Sequence, residues 1–194
     1  FENVIVGEDM GSSNENEFIQ IIENLPDIHF MTQYRADESN YGFHEPNIIY
    51  SCHKLNDIYM TYALARMNLL FTVNENFGDF AADEVSENFL KPQLLMSSLH
   101  YYNVLIDLSW QLIWFYIRSD LNNSLPTSET YEKEARECNY EILSYYLVLK
   151  KENKLRLSYL KQFFESNETQ AIREKWNYSK HKGIFHFDGM GINP

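Results

Sequence analysis

Cysteine is scarce in this 194-residue chain, and the two present, Cys52 and Cys138, lie far apart without a neighbour at metal- or redox-motif spacing. A disulfide framework, a zinc knuckle and a paired-cysteine redox centre are therefore excluded, and reduced thiols in a cytoplasmic protein are the expectation. Glycine and proline are also few, seven and five, and they build no phosphate-cradling loop and no low-complexity tract. Bases are outnumbered: 16 Lys and Arg stand against 28 Asp and Glu, a formal net charge of −12. Such a balance excludes a surface that clings everywhere to nucleic acid or to an anionic membrane, so any contact of that kind must be local. Long uninterrupted apolar runs are missing as well. The least charged stretch, Pro92 to Ile117, is broken by His100, Asn103, Asp107 and Gln111. An Asp near the middle of a membrane span is costly, which points to the central helix of a soluble protein and to no membrane partner. At Phe1 the chain opens with neither a basic nor an apolar leader pattern, so the expectation is a trimmed start without a signal peptide.

What is present is apolar and aromatic. Hydrophobic residues make up 44% and aromatics 15%, with 14 Tyr, 13 Phe and 3 Trp. A chain of that composition can bury enough surface to offset its conformational entropy, and its length suits one domain. Three- and four-residue steps dominate the apolar pattern. Pro46 opens a helix over about 46–76 with Gly78 as its stop; a further helix covers 79–90; and Pro92 starts a central helix to about 118. Ser128 starts a helix reaching Lys150, a break near Asn153 precedes a helix over about 154–165, and Ser166 or Asn167 caps a last helix to about 180. Strand-like alternation is confined to Ile184–Phe187. The expected fold is all-α: a single-domain bundle of about five to seven helices over 46–187, an acidic, largely irregular segment over 1–45 with one short helix at 15–24, and a tail at 188–194.

Charge is uneven along the chain. Lys150 to Phe187 holds nine basic and four acidic residues, a balance of +5, against −17 for the remainder. Asymmetry of this kind fits an anionic partner, an acidic partner within the chain, or simply a solvated basic face. Inside the basic part, Arg173, Asn177 and His181 recur at four-residue steps, which lines them along one helix face. A permanent cation, an amide and a titratable imidazole suit chemistry on a phosphodiester without a metal or other cofactor. His181 moves the proton of a ribose hydroxyl or leaving oxygen, Arg173 neutralises the charge that builds on phosphorus, and Asn177 holds an oxygen in place. Lys175, Lys180 and Lys182 would hold the backbone of an RNA. The plain alternative is a helix ending in cations before Gly183, where they complement the helix dipole.

A bundle of long helices whose last helix carries a cation, then Asn177 and His181, and then a basic patch resembles the HEPN superfamily. That family's motif is an Arg followed, after four to six residues that often begin with Asn, by a His. The resemblance implies metal-independent RNA cleavage at a site built across a homodimer, commonly in toxin–antitoxin or other defence systems. Here Trp176 stands where the motif has its Arg, and Arg173 lies seven intervening residues before His181. An active and a catalytically weakened member both fit that pattern.

A second polar stripe, His100, Asn103, Asp107, Gln111 and Arg118, runs along the central helix without Lys or Glu. It reads either as the lining of a cleft or as a hydrogen-bond network that fixes helix register, and it would join the first stripe if Asp107 met Arg173 or His181. His181, His186 and Asp188 make a poor metal set, and His44 and His53 read as surface or helix-flanking residues. Two functions remain: an endoribonuclease or RNA-binding protein, and a non-catalytic helical module that docks a protein partner. A homodimer is a further expectation, from the aromatic-rich helices and from what the HEPN resemblance implies.

Overall fold

Helical periodicity becomes helix almost throughout. The computed structural model describes residues 12–73, 77, 83–150 and 154–182. Among them are eight α-helices and no strand: α1 (Ser12–Asn24), α2 (Glu38–Tyr41), α3 (Pro46–Thr72), α4 (Glu84–Ile117), α5 (Ser128–Glu137), α6 (Tyr140–Leu149), α7 (Lys154–Phe164) and α8 (Asn167–Lys182). Two one-turn 3-10 segments, Phe30–Tyr34 and Ser119–Asn123, link them. No helix among the described residues is long and apolar enough to cross a membrane. Gly78, the short run Ile184–Phe187, the tail and the turn around Asn153 lie outside the described residues.

The frame is a hairpin of the two longest helices. At 1.5 Å per residue, α3 spans about 40 Å and α4 about 51 Å. Ala65 is fully buried on α3, and its carbonyl accepts a hydrogen bond from the buried Ser98 hydroxyl of α4 at 2.9 Å. Small side chains at that level let the two backbones approach. The start of α3 is tied to the end of α4 by Asn47, whose amide donates to the Tyr116 carbonyl at 3.1 Å. Against this hairpin the short helices close a core of Tyr50, Ile106, Trp110, Trp114, Phe115, Leu121, Cys138, Leu143, Leu147 and Leu160. Aromatic contacts continue it outward: Tyr131 stacks on Phe115 at 5.1 Å and Tyr140 on Phe164 at 3.9 Å.

Three boundaries differ from the pattern-based expectation, each for a local reason. Pro92 does not separate two helices but sits inside α4, as its ninth residue. Proline removes one backbone hydrogen bond and costs about 3 kcal/mol in a helix interior. The ring is buried, and the helix is anchored upstream by Asp83, whose carboxylate accepts from the Ser86 backbone N–H at 2.8 Å. Burial along the rest of α4 offsets the loss. Conversely, the single helix expected from Ser128 to Lys150 divides at Cys138 and Asn139, because the Asn139 side chain accepts from the Ile142 N–H at 2.9 Å and starts α6 afresh. The N-terminal segment also carries more helix than its turn-rich composition suggested. Arg66, almost fully buried on α3, donates to the carbonyls of Ile22 and Pro26 at 2.7 and 2.9 Å and so satisfies the open end of α1.

Candidate functional site

The last helix begins where the sequence allowed. Ser166 is its cap, accepting from the Thr169 N–H at 3.2 Å, and α8 then packs along α4. Arg173 and Trp176, three residues apart, face α4, while the pairing of Arg173 with Asp107 and of Trp176 with His100 shows that the two helices run antiparallel. The Arg173 guanidinium forms an ion pair with the Asp107 carboxylate and lies over the Trp110 ring, 4.7 Å from its centroid. One ring turn further, the His100 imidazole packs on Trp176 at 4.6 Å with the planes tilted by 43°. The two polar stripes are thus joined, and Asp107 is the residue that joins them.

This seam is incompletely hydrogen-bonded. His100 Nδ1, Asn103 Oδ1 and Arg173 Nε are buried atoms without a hydrogen-bond partner among the described residues. Orphaned polar atoms cost more than a hydrogen bond contributes, so the seam is held chiefly by the charge pair and the aromatic rings. Gln111 stands one turn beyond Asp107, and both line a cavity of about 410 Å³ with Trp110, Arg136, Cys138 and Asn139. Burial pushes the Cys138 thiol up to about 12, which makes it an inert member of that lining.

The other candidate residues part from the seam. Asn177, Lys180, His181 and Lys182 are exposed, and Lys175 is half-buried. A four-residue step on an α-helix advances the side chain by about 40°, so His181 is turned roughly 80° from Arg173. That drift leaves the cation facing α4 and the imidazole facing solvent. Lys180, His181 and Lys182 crowd the final turn, where the helix dipole favours positive charge. No protein-family model, no curated protein and no solved structure matches the chain.

Two further polar clusters escaped the sequence reading. Arg118 leaves the stripe of α4, lies 4.4 Å over the Trp114 ring, and pairs with Asp120 at 2.8 Å and Glu134 at 2.9 Å. Its hydrogen bond holds the Asp120 carboxyl below the usual range. Glu134 is buried and also accepts from the Trp114 indole N–H at 3.3 Å. The second cluster surrounds Lys54, a buried lysine whose ammonium reaches Asp57 at 3.1 Å and lies 4.8 Å over the Tyr131 ring. Tyr131 donates its hydroxyl to Asp57 at 2.7 Å, and burial together with that carboxylate raises the phenol far above its ordinary value. His53, edge-on to Tyr41 and Tyr131, shares with them a cavity of about 560 Å³. Both clusters supply their own counter-charges, since Arg118 serves Asp120 and Glu134 and Lys54 serves Asp57. The available signal was Lys54 and Asp57 at one helical step, which is also the commonest pattern of an ordinary surface pair.

Proposed function

We propose that this chain binds RNA through the exposed end of α8. The observation that carries the reading is the accessibility of Asn177, Tyr178, Lys180, His181 and Lys182 on a helix whose root is fixed to α4. Lysines set in solvent on a rigid support attract phosphates without needing to order themselves first. The exposed bases of α7 lie apart from this surface: Arg156 sits over the Tyr116 ring near the end of α4, whereas the tip of α8 lies beyond His100. Single-stranded RNA is the substrate class that fits, because its flexible backbone can bring phosphates to Lys180 and Lys182 on one helical turn.

Cleavage is the stronger form of the same reading. There His181 exchanges the proton, Asn177 orients an oxygen, and the HEPN resemblance supplies the expectation of a site completed by a second copy. Arg173 was expected as the cation that neutralises the developing charge. With its guanidinium bound to Asp107, it serves as a positioning residue for α8, and Lys180 and Lys182 are the cations beside His181. Binding is therefore the function that the geometry favours.

Fluorescence anisotropy with a labelled single-stranded RNA tests it. Affinity is expected to fall steeply with salt, and Lys180→Glu with Lys182→Glu should reduce it at least tenfold and flatten the salt slope by about 1.4 for two lost phosphate contacts. Salt-insensitive binding, or binding untouched by that reversal, overturns the reading. Incubation in EDTA then separates the two forms: cleavage abolished by His181→Ala supports a ribonuclease, whereas intact RNA leaves a binding protein.

A further inference from the structure

Away from the α8 end, α6 and α7 form an antiparallel pair, as the stacking of Tyr140 at the start of one on Phe164 at the end of the other requires. Their inner faces hold Leu143, Leu147 and Leu160, each at most 1% exposed. Their outer faces are apolar too. Tyr145 is 67% exposed, Val148 57%, Leu149 61%, Leu155 85% and Tyr159 65%. On a helix of 3.6 residues per turn, Ile142, Tyr145, Val148 and Leu149 span one side of α6, while Leu155 and Tyr159 sit on consecutive turns of α7. A helix that is apolar on both sides belongs inside a structure, and exposed apolar side chains gathered on two packed helices mark an interface.

The charges around the patch say what covers it. Its α6-start end carries exposed Glu137, Glu141 and Glu165 against Lys161 and an Arg136 already paired with Glu132, and its opposite end carries exposed Lys150, Lys154 and Arg156. A surface that is acidic at one end, apolar in the middle and basic at the other complements itself when turned end over end. In a twofold interface the same patch appears on both partners, so the acidic end of each meets the basic end of the other. The patch also borders the base-rich segment, where two chains of net charge −12 approach with least repulsion.

We infer that the outer face of α6 and α7 pairs with the same face of a second copy of this chain, the two helix pairs running antiparallel about a twofold axis near Tyr145. The inference is independent of RNA binding, since the end of α8 takes no part in it.

Light scattering of the full chain between about 1 and 100 µM tests it. The wild type is expected at twice the 23.1 kDa chain mass, and Tyr145→Asp or Leu155→Asp at the chain mass, with unchanged helical circular dichroism because neither side chain is buried. Reversing the acidic end (Glu137→Lys with Glu141→Lys) or the basic end (Lys150→Glu with Lys154→Glu) should each weaken the dimer about five- to tenfold, and reversing both ends together should restore it. A wild type that stays monomeric at 100 µM, or a dimer indifferent to Tyr145→Asp and Leu155→Asp, overturns the inference. Failure of the combined reversal to restore the dimer overturns the antiparallel arrangement.

Discussion

At the root of α8, Arg173 is bound to Asp107 above the Trp110 ring and Trp176 packs on His100, whereas at its tip Asn177, Lys180, His181 and Lys182 stand in solvent. Arg173 at the root and Asn177 and His181 toward the tip belong to one ladder of polar residues at four-residue steps. The helix turns slightly further than a full turn at each step, and that small excess is enough to give the first rung a partner helix and the last rung none of its shelter. A cation placed for chemistry on a phosphate becomes a cation that holds two helices together. The same residue types two turns later keep the freedom that a binding surface needs.

Substitutions can break this contrast at several points. The largest effect is expected from Trp110→Ala, which removes the buried ring shared by Arg173, Tyr140 and Phe164 and should cost about 3–5 kcal/mol in denaturant unfolding. A loss under about 1 kcal/mol would show that the seam does not depend on that ring. Next come Arg173→Ala and Asp107→Ala, each expected to cost about 1–2 kcal/mol, because the pair is only partly screened from water and the surviving charge is left without its partner. A double-mutant cycle should return a coupling of about 0.5–1.5 kcal/mol. Additive losses would mean that the two stripes touch without helping each other.

Acid titration extends the comparison to the far end of α4, where Arg118 is held much as Arg173 is. Arg118 keeps the Asp120 carboxyl below its ordinary 3.8, so folding favours the ionised form. That contribution is fully present above pH 3.8 and disappears as pH falls through the lower folded value. Asp120→Asn is expected to remove this share of the acid destabilisation; an unchanged stability profile below pH 3.8 would contradict the assignment. The smallest effects belong to the tip, where Asn177→Ala and His181→Ala should leave stability within about 0.5 kcal/mol while any change appears in RNA binding. A larger loss of stability would mean that the tip is structural after all.

Much of the helix pattern was legible because it rests on local physics. Pro46 at a first helical position, the Ser166 cap and the apolar steps of α3 and α7 need no partner to be recognised. The errors arose where local signals competed. Pro92 reads as a breaker, yet burial along α4 carries the helix through it; the continuous apolar periodicity from Ser128 to Lys150 hides the Asn139 cap that interrupts it. In the candidate site, the meeting of Asp107 with Arg173 was one of the pairings that the stripes allowed, and Trp176, noticed only for occupying the place of a motif Arg, proved to be the contact of His100. Lys54 and Glu134 were invisible because a charged residue on an amphipathic helix gives no sign that it will be buried.

The sequence by itself determined the class of fold and the uneven charge, since helical periodicity and composition are properties of neighbouring residues and need no knowledge of the third dimension. Tertiary structure decided which charges are committed and which are available. The number of charged side chains says nothing about this: an Arg laid against a carboxylate and an indole is structural, and a Lys on the last turn of the same helix is free to meet a phosphate. The difference is set by whether another helix lies opposite, which is a long-range property of the packed chain.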